Sequence, residues 1–272
     1  MADVQPLRVG IAGLGAIGTE VAKALDAGIP GLVLEAVSVR DIEKAETTLG
    51  SFRSKPNIVS LNALADCVDL VVESAPPAIF DQVARPAVEA GRILIVMSSG
   101  ALLTRPDLIE RARETGARII VPSGGILGLD GLKAAAEGEI QSVTLITRKP
   151  PASLAGAPCL TENGIEPTDI DAPLRVFAGN ALEAAAVFPA NVNVAASLSL
   201  AGIGPELTRV EIWADPGLET LRQEVRIASD AADISLRLTS YPLRHNPRTG
   251  SLTPKSAIAT LRGLIAVLQA GT

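Results

Sequence analysis

At 272 residues, with a formal net charge of -6, the chain calls for two linked domains or one large α/β domain, and its acidity argues against a nucleic-acid partner, whose phosphates demand a basic face. Hydrophobic residues make up 47% but aromatics only 2%, so the core has to be built from Ala, Val, Leu and Ile, which suits helices packed on buried strands. Cys67 and Cys159 are too few and too separated for a disulfide framework, and with His245 as the single histidine no metal-ligand cluster forms, so no metal is expected.

The start, MADVQPLRVGIAGLG, lacks the basic region and cleavage pattern of a signal peptide. No apolar run approaches the roughly 20 residues needed to cross a bilayer, so a cytoplasmic location is expected. From Leu7 the chain reads as a short apolar strand, a glycine turn and an amphipathic helix carrying Ile17, Val21, Ala22 and Leu25 on one side. Gly13, Gly15 and Gly18 fit G-x-G-x-x-G. The first allows the tight turn, the second lets backbone approach a pyrophosphate, and the third permits close helix-to-strand packing. The helix start at Ala16 and Ile17 would then present its N–H groups to the phosphates.

LVLEAVSVRD, DLVVESAPP, ILIVMSSGA and RIIVPSGG follow as strands, with helices over FDQVARPAVEAG and RPDLIERARETG between the later ones. This alternation predicts a Rossmann-type doubly wound parallel sheet with its ligand crevice at the carboxyl ends of the strands. Those ends carry Ser74-Ala75, Ser99-Gly100 and Gly124, small residues against which a flat nicotinamide could lie, although ordinary loops use the same residues. The second strand ends Ser38-Val39-Arg40-Asp41. A hydroxyl followed by a guanidinium favours NADP, because an acidic residue on the ribose is the mark of an NAD site; Asp41 keeps NAD open.

After Gly125 the signals change. EIQSVTLITRKPP reads as a strand, and PPASLAGAPCLTENGIEPTDIDAP as a polar surface excursion. LRVFAGNALEAAAVFPANVNVAASLSLAGIG follows as a strand, a helix, a compact turn and a second helix, then TRVEIWADP, EVRIAS and ISLRLTSYPL as strands of a mainly antiparallel sheet. LTPKSAIATLRGLIAVLQAG closes as a helix. The expected division is a dinucleotide-binding domain over 1–123, an α/β substrate and dimerisation domain over 124–251, and a final helix over 252–272 returning to the first domain.

VGIAGLGAIG, PSGGILGLDGL, TRKPP, VFAGNALEAAAVFPANVNVAASLSLAGIG and NPRTGSLTPKSAI together resemble the L-aspartate dehydrogenase family over nearly the whole chain. The resemblance implies a Rossmann domain followed by an α/β domain, a homodimer, and deamination of L-aspartate to oxaloacetate through iminosuccinate with NAD or NADP. It also implies that TRKPP, FPANVNV and the NPRT turn border the active site. The family carries its catalytic histidine in Asn-x-His-Glu-Ile before a strand of the second domain. Aligning Glu224-Val225 with the Glu-Ile of that segment puts Gln223 at the histidine and Leu221 at the asparagine, while His245 aligns with a variable residue.

Glutamine takes no proton, so Gln223 can orient a carboxylate, carbonyl or amide but cannot activate water. Three readings stay open: a nicotinamide-dependent reductase or dehydrogenase of another small amino, imino or carbonyl acid; a true aspartate dehydrogenase with a different base; and a catalytically silent nucleotide-binding protein. Lys149 is the candidate proton donor, with Arg148 as a cationic neighbour that would lower its pKa; both could equally be exposed at a strand end. Asn191 and Asn193 are candidates to touch nicotinamide or substrate, or to bond their own backbone. Arg248 is a candidate grip on a substrate carboxylate, Gly124 lies among the small residues of the substrate side, and Tyr241 is expected in core or interface packing.

Overall fold

The structure, a computed structural model, describes residues 5–161, 164–188 and 192–271, apart from the side chains of 158, 159, 247 and 248. The chain divides into two compact units. The first comprises 1–124, 244–249 and 253–269, and the second 125–243, 250–252 and 270–272.

In the first unit, β1 (Leu7–Ala12), α1 (Ala16–Ala27), β2 (Leu32–Ser38), α2 (Ile42–Leu49), β3 (Asn57–Ile58), α3 (Leu61–Cys67) and β4 (Leu70–Glu73) are followed by α4 (Phe80–Glu89), β5 (Ile93–Val96), α5 (Ser99–Leu103), α6 (Pro106–Thr115) and β6 (Arg118–Ile120). Among the described residues the strands form one parallel sheet in the order β3-β2-β1-β4-β5-β6, so the order reverses between β1 and β4. Both faces are covered, which is why LVVE of β4 is buried at every position instead of alternating. One apolar cluster joins Val9, Ile11 and Val37 to Val21 and Leu25 of α1; the other joins Val71 and Leu94 to Leu64, Val83 and Leu108 of the helices beyond. Each fully buried aliphatic side chain contributes roughly 1.5–3 kcal/mol.

The second unit runs α7 (Leu129–Ala135), β7 (Ile140–Lys149), α8 (Pro158–Thr161), β8 (Leu174–Asn180), α9 (Ala181–Val187), α10 (Asn193–Ala201), β9 (Thr208–Ala214), β10 (Arg222–Ser229) and β11 (Asp233–Thr239). Two short strands, β12 (Pro242–Leu243) and β13 (Asn246–Gly250), precede the last helix, α11 (Leu252–Ile265). The sheet order is β11-β10-β7-β9-β8. Three of its four pairings are antiparallel, as the sequence suggests, but β7 and β9 run parallel because the long connection through α8, β8, α9 and α10 carries the chain back across before β9 begins. The chain enters α9 through a reciprocal cap: Glu183 N–H donates to the Asn180 side chain at 2.9 Å, and Asn180 N–H donates to the Glu183 carboxylate at 2.8 Å.

Two expectations need correction. The stretch after Lys149 is not a simple surface excursion, because Leu154, Leu160 and Ile170 are 3%, 1% and 8% exposed and belong to the core of the second unit. Its sparse apolar residues, spaced by turns, follow neither strand nor helix period, so their burial has no signature in the pattern. The final helix stops at Ile265 and leaves Val267 and Leu268 exposed, since a helix persists only as far as its apolar face finds a core. No helix among the described residues is long and apolar enough to cross a membrane.

Candidate active site

The glycine turn is built for close approach. Gly13 has φ +92°, a conformation open to glycine, and its N–H donates to Ser38 O at 2.8 Å. A Cβ on Gly18 would stand 1.9 Å from Gly13 O, so α1 could not sit against β1 with any other residue there. A Cβ on Gly15 would instead enter open space. That space lies at the start of α1, whose Gly15 cap supplies no side chain and whose first turn holds no acid, so the N–H groups of Ala16 and Ile17 are left for an anion. The turn therefore fits a dinucleotide pyrophosphate on its own geometry. Ser74 supports the turn from behind: its hydroxyl donates to Gly13 O at 2.9 Å and lies 3.1 Å from Ala12 O.

At the end of β2, Ser38 is buried and Arg40 is exposed. Asp41 is the cap of α2, accepting from Lys44 N–H at 3.0 Å, which commits its carboxylate locally. Ala75 is buried at the end of β4, and Ser99 and Gly100 are buried in α5. Beneath them lies Glu73, fully buried. One of its oxygens accepts from Met97 N–H at 3.2 Å and Ser98 N–H at 2.9 Å, and the other from the Ser98 hydroxyl at 3.0 Å. Burial pushes its carboxyl pKa up, against the lowering effect of these donors. Gly124 closes the first stretch of this unit, its N–H donating to the Ser256 hydroxyl at 3.0 Å.

In the second unit the sheet register decides which candidates meet. Gln223 on β10 opposes Thr147 on β7, and both are buried, 5% and 6% exposed. Lys149 stands two residues beyond Thr147 and so shares its face, the one carrying the core residues Leu145, Val225 and Ile227. Burial lowers the Lys149 pKa from 10.5 to about 8. Arg148 is not the cause, contrary to expectation. Strand alternation turns it to the other face, where its guanidinium lies 4.5 Å from the Trp213 ring centroid and 3.6 Å from the Asp215 carboxylate. On that face a depression is lined by Arg148, Arg222, Glu224, Arg226, Arg237 and Thr239. Asn193 opens α10, next to Val192 of the same core.

The structure thus brings Lys149 and Gln223 onto one sheet face and sets Arg148 on the opposite one. Asn191 and the side chain of Arg248 lie outside the described residues. His245 is exposed in a turn, and Tyr241 is 67% exposed, so it is not part of the core. Thr147 went unnoticed in the sequence although the alternation in TLITRK pairs it with Lys149, and Glu73 announced itself only as an acid ending an apolar strand.

Residues 13–122 match the NAD-binding domain model of homoserine dehydrogenase, and residues 130–264 the C-terminal domain model of aspartate dehydrogenase. The chain is 46% identical to an L-aspartate dehydrogenase of Bradyrhizobium diazoefficiens over 98% of this chain and 94% of that one. It is 42% identical to L-aspartate dehydrogenase 3 of Bordetella bronchiseptica over the full length of both. The crystal structure of aspartate dehydrogenase from Thermotoga maritima superposes with a TM-score of 0.75 at 26% identity, covering 97% and 99% of the two chains. With the dinucleotide cradle and this end-to-end similarity together, the chain belongs to the L-aspartate dehydrogenase family and is a nicotinamide-dependent oxidoreductase.

Proposed function

We propose that the protein exchanges hydride between NADP and a small amino, imino or keto acid of the aspartate type, with Lys149 as its proton-transfer group and Gln223 as a substrate-orienting amide where the family resemblance expects histidine. A bound nicotinamide supplies or accepts the hydride. Lys149 carries the reading: partly buried, with a pKa of about 8, it is poised between acid and base near neutral pH. Gln223 on the same face offers one acceptor and two donor hydrogens to a carboxylate or amide but takes no proton. Hydride transfer depends on positioning and survives without a second base, whereas addition of water to an imine is weakened. NADP is preferred because Arg40 is exposed past the end of β2 while Asp41 is engaged with its own helix.

A second reading, that the protein is an L-aspartate dehydrogenase with Lys149 as its base, is favoured by that same near-neutral lysine and by the names of its relatives. Oxidation of NADPH and NADH, followed by absorbance with oxaloacetate plus ammonia and with a panel of other keto acids, aldehydes and amines, separates the two on wild type and Gln223→His. Under the first reading wild type is poor with oxaloacetate and ammonia, and the histidine variant gains on the order of 10²-fold or more. Ordinary turnover by wild type, with no gain in the variant, sinks the first reading and supports the second.

A further inference from the structure

Glu73 is the one carboxylate of the first unit's strands that is wholly buried, and the chemistry just described does not use it. It ends β4, in register with Ala12 of β1 and Val96 of β5, at the side of the sheet where strand order reverses. In sheets of this type the ligand crevice opens outside these strand ends. Next to it, Ser74-Ala75 follow β4, and Ser98 caps α5, which starts at Ser99 just after β5.

Its hydrogen bonds do not require a charge. The described donors, the N–H groups of Met97, Ser98 and Ala75 and the Ser98 hydroxyl, are all neutral. A glutamine could accept from Met97 and Ser98 N–H through its carbonyl, and the Ser98 hydroxyl could reverse to accept from its amide. Among the described residues no lysine, arginine or histidine forms an ion pair with Glu73. Burying an unpaired carboxylate costs stability, and apolar or neutral replacements of buried charges are often neutral or stabilising, so packing alone does not account for an acid here. Burial disfavours the Glu73 charge in the protein alone, and the oxidised ring, which carries a formal positive charge where the reduced ring does not, is the cation that would compensate it, so a carboxyl group at the base of a nicotinamide crevice acts differently on the two forms of the cofactor.

We propose that Glu73 sets the redox poise of the bound dinucleotide, its buried charge favouring the oxidised form and so making the bound reduced form a stronger hydride donor. The inference rests on the nicotinamide lying over the ends of β4 and β5, and it holds for either dinucleotide. Glu73 is thus an electrostatic positioning residue for the couple, one layer beneath the reacting atoms.

The test is the ratio of dissociation constants for oxidised and reduced cofactor, measured by calorimetry for NADP and by fluorescence for NADPH, and repeated with NAD and NADH, on wild type, Glu73→Gln and Glu73→Asp. Glu73→Gln is expected to weaken oxidised relative to reduced binding by about tenfold, the scale of one uncompensated charge acting through the protein interior, which raises the potential of the bound two-electron couple by about 30 mV. Glu73→Asp keeps the charge and holds the ratio within about threefold of wild type. An unchanged ratio in Glu73→Gln, or an equal loss of both affinities, overturns the inference, as does a shift in Glu73→Asp as large as in the glutamine variant. If the glutamine variant does not fold, Glu73→Met is read in the same way; failure of both to fold assigns the charge to the fold and removes the proposal. Wild type binding neither dinucleotide would instead remove the cofactor reading on which the inference stands.

Discussion

A single residue step along β7 separates two fates. Lys149 shares the core-bearing face with Thr147 and Gln223, while Arg148, its neighbour in sequence, is held by Trp213 and Asp215 on the other. The basic pair was plain in TRKPP, but adjacency suggested that one cation lowers the pKa of the other, and in a strand adjacent side chains point apart. Desolvation does the lowering instead. If Lys149 is the acid for substrate reduction, the rate falls as pH rises through about 8, and Lys149→Met abolishes that limb while lowering the rate on the order of 10²- to 10⁴-fold. A stability signature accompanies this. Between about 8 and 10.5 the unfolded chain binds a proton that the folded one has released, so stability rises with pH across that window. Urea midpoints at pH 7.5 and 10 should rise more for wild type than for Lys149→Met; equal rises would show that the lysine is not desolvated in solution.

At the scale of elements, the β1–α1 unit was legible in outline and in detail, because glycine spacing encodes backbone conformation and approach directly. Its glycines nevertheless do different work, and substitution should separate them. Gly18→Ala drives a methyl to within 1.9 Å of Gly13 O, so α1 must move; we expect a loss of about 3 kcal/mol or more in chemical denaturation. Gly15→Ala meets nothing, at a φ of -75° that any residue adopts, and should unfold like wild type yet bind dinucleotide at least tenfold more weakly, because its methyl occupies the phosphate space. Wild-type binding by Gly15→Ala would mean that the phosphates lie elsewhere. The use of Asp41 was not legible in this way. The same carboxylate serves a ribose or a helix cap, and the choice depends on where α2 starts relative to β2.

In the whole molecule, α11 is added to the first unit from the far end of the chain: Ala257 and Leu261, both fully buried, join the cluster of Val9, Ile11 and Val21. Leu261→Ala should cost about 2–5 kcal/mol, localised to that unit. Hydrogen exchange would show this as lost protection in β1 and α1 with β7 and β10 unchanged; loss in both sets would mean that the two units unfold as one. The amino-acid sequence by itself determined the βα alternation, the glycine turn between β1 and α1, and the family. These are carried by local periodicity, turn chemistry and ordered motifs. The tertiary structure alone decided that Gln223 lies against Thr147, that Arg148 leaves the lysine, that the loop after Lys149 is anchored in a core, and that Glu73 is buried with no ion-paired cation among the described residues. Each of these depends on strand register or on contacts between distant segments, and neither is written in the residues around the position itself.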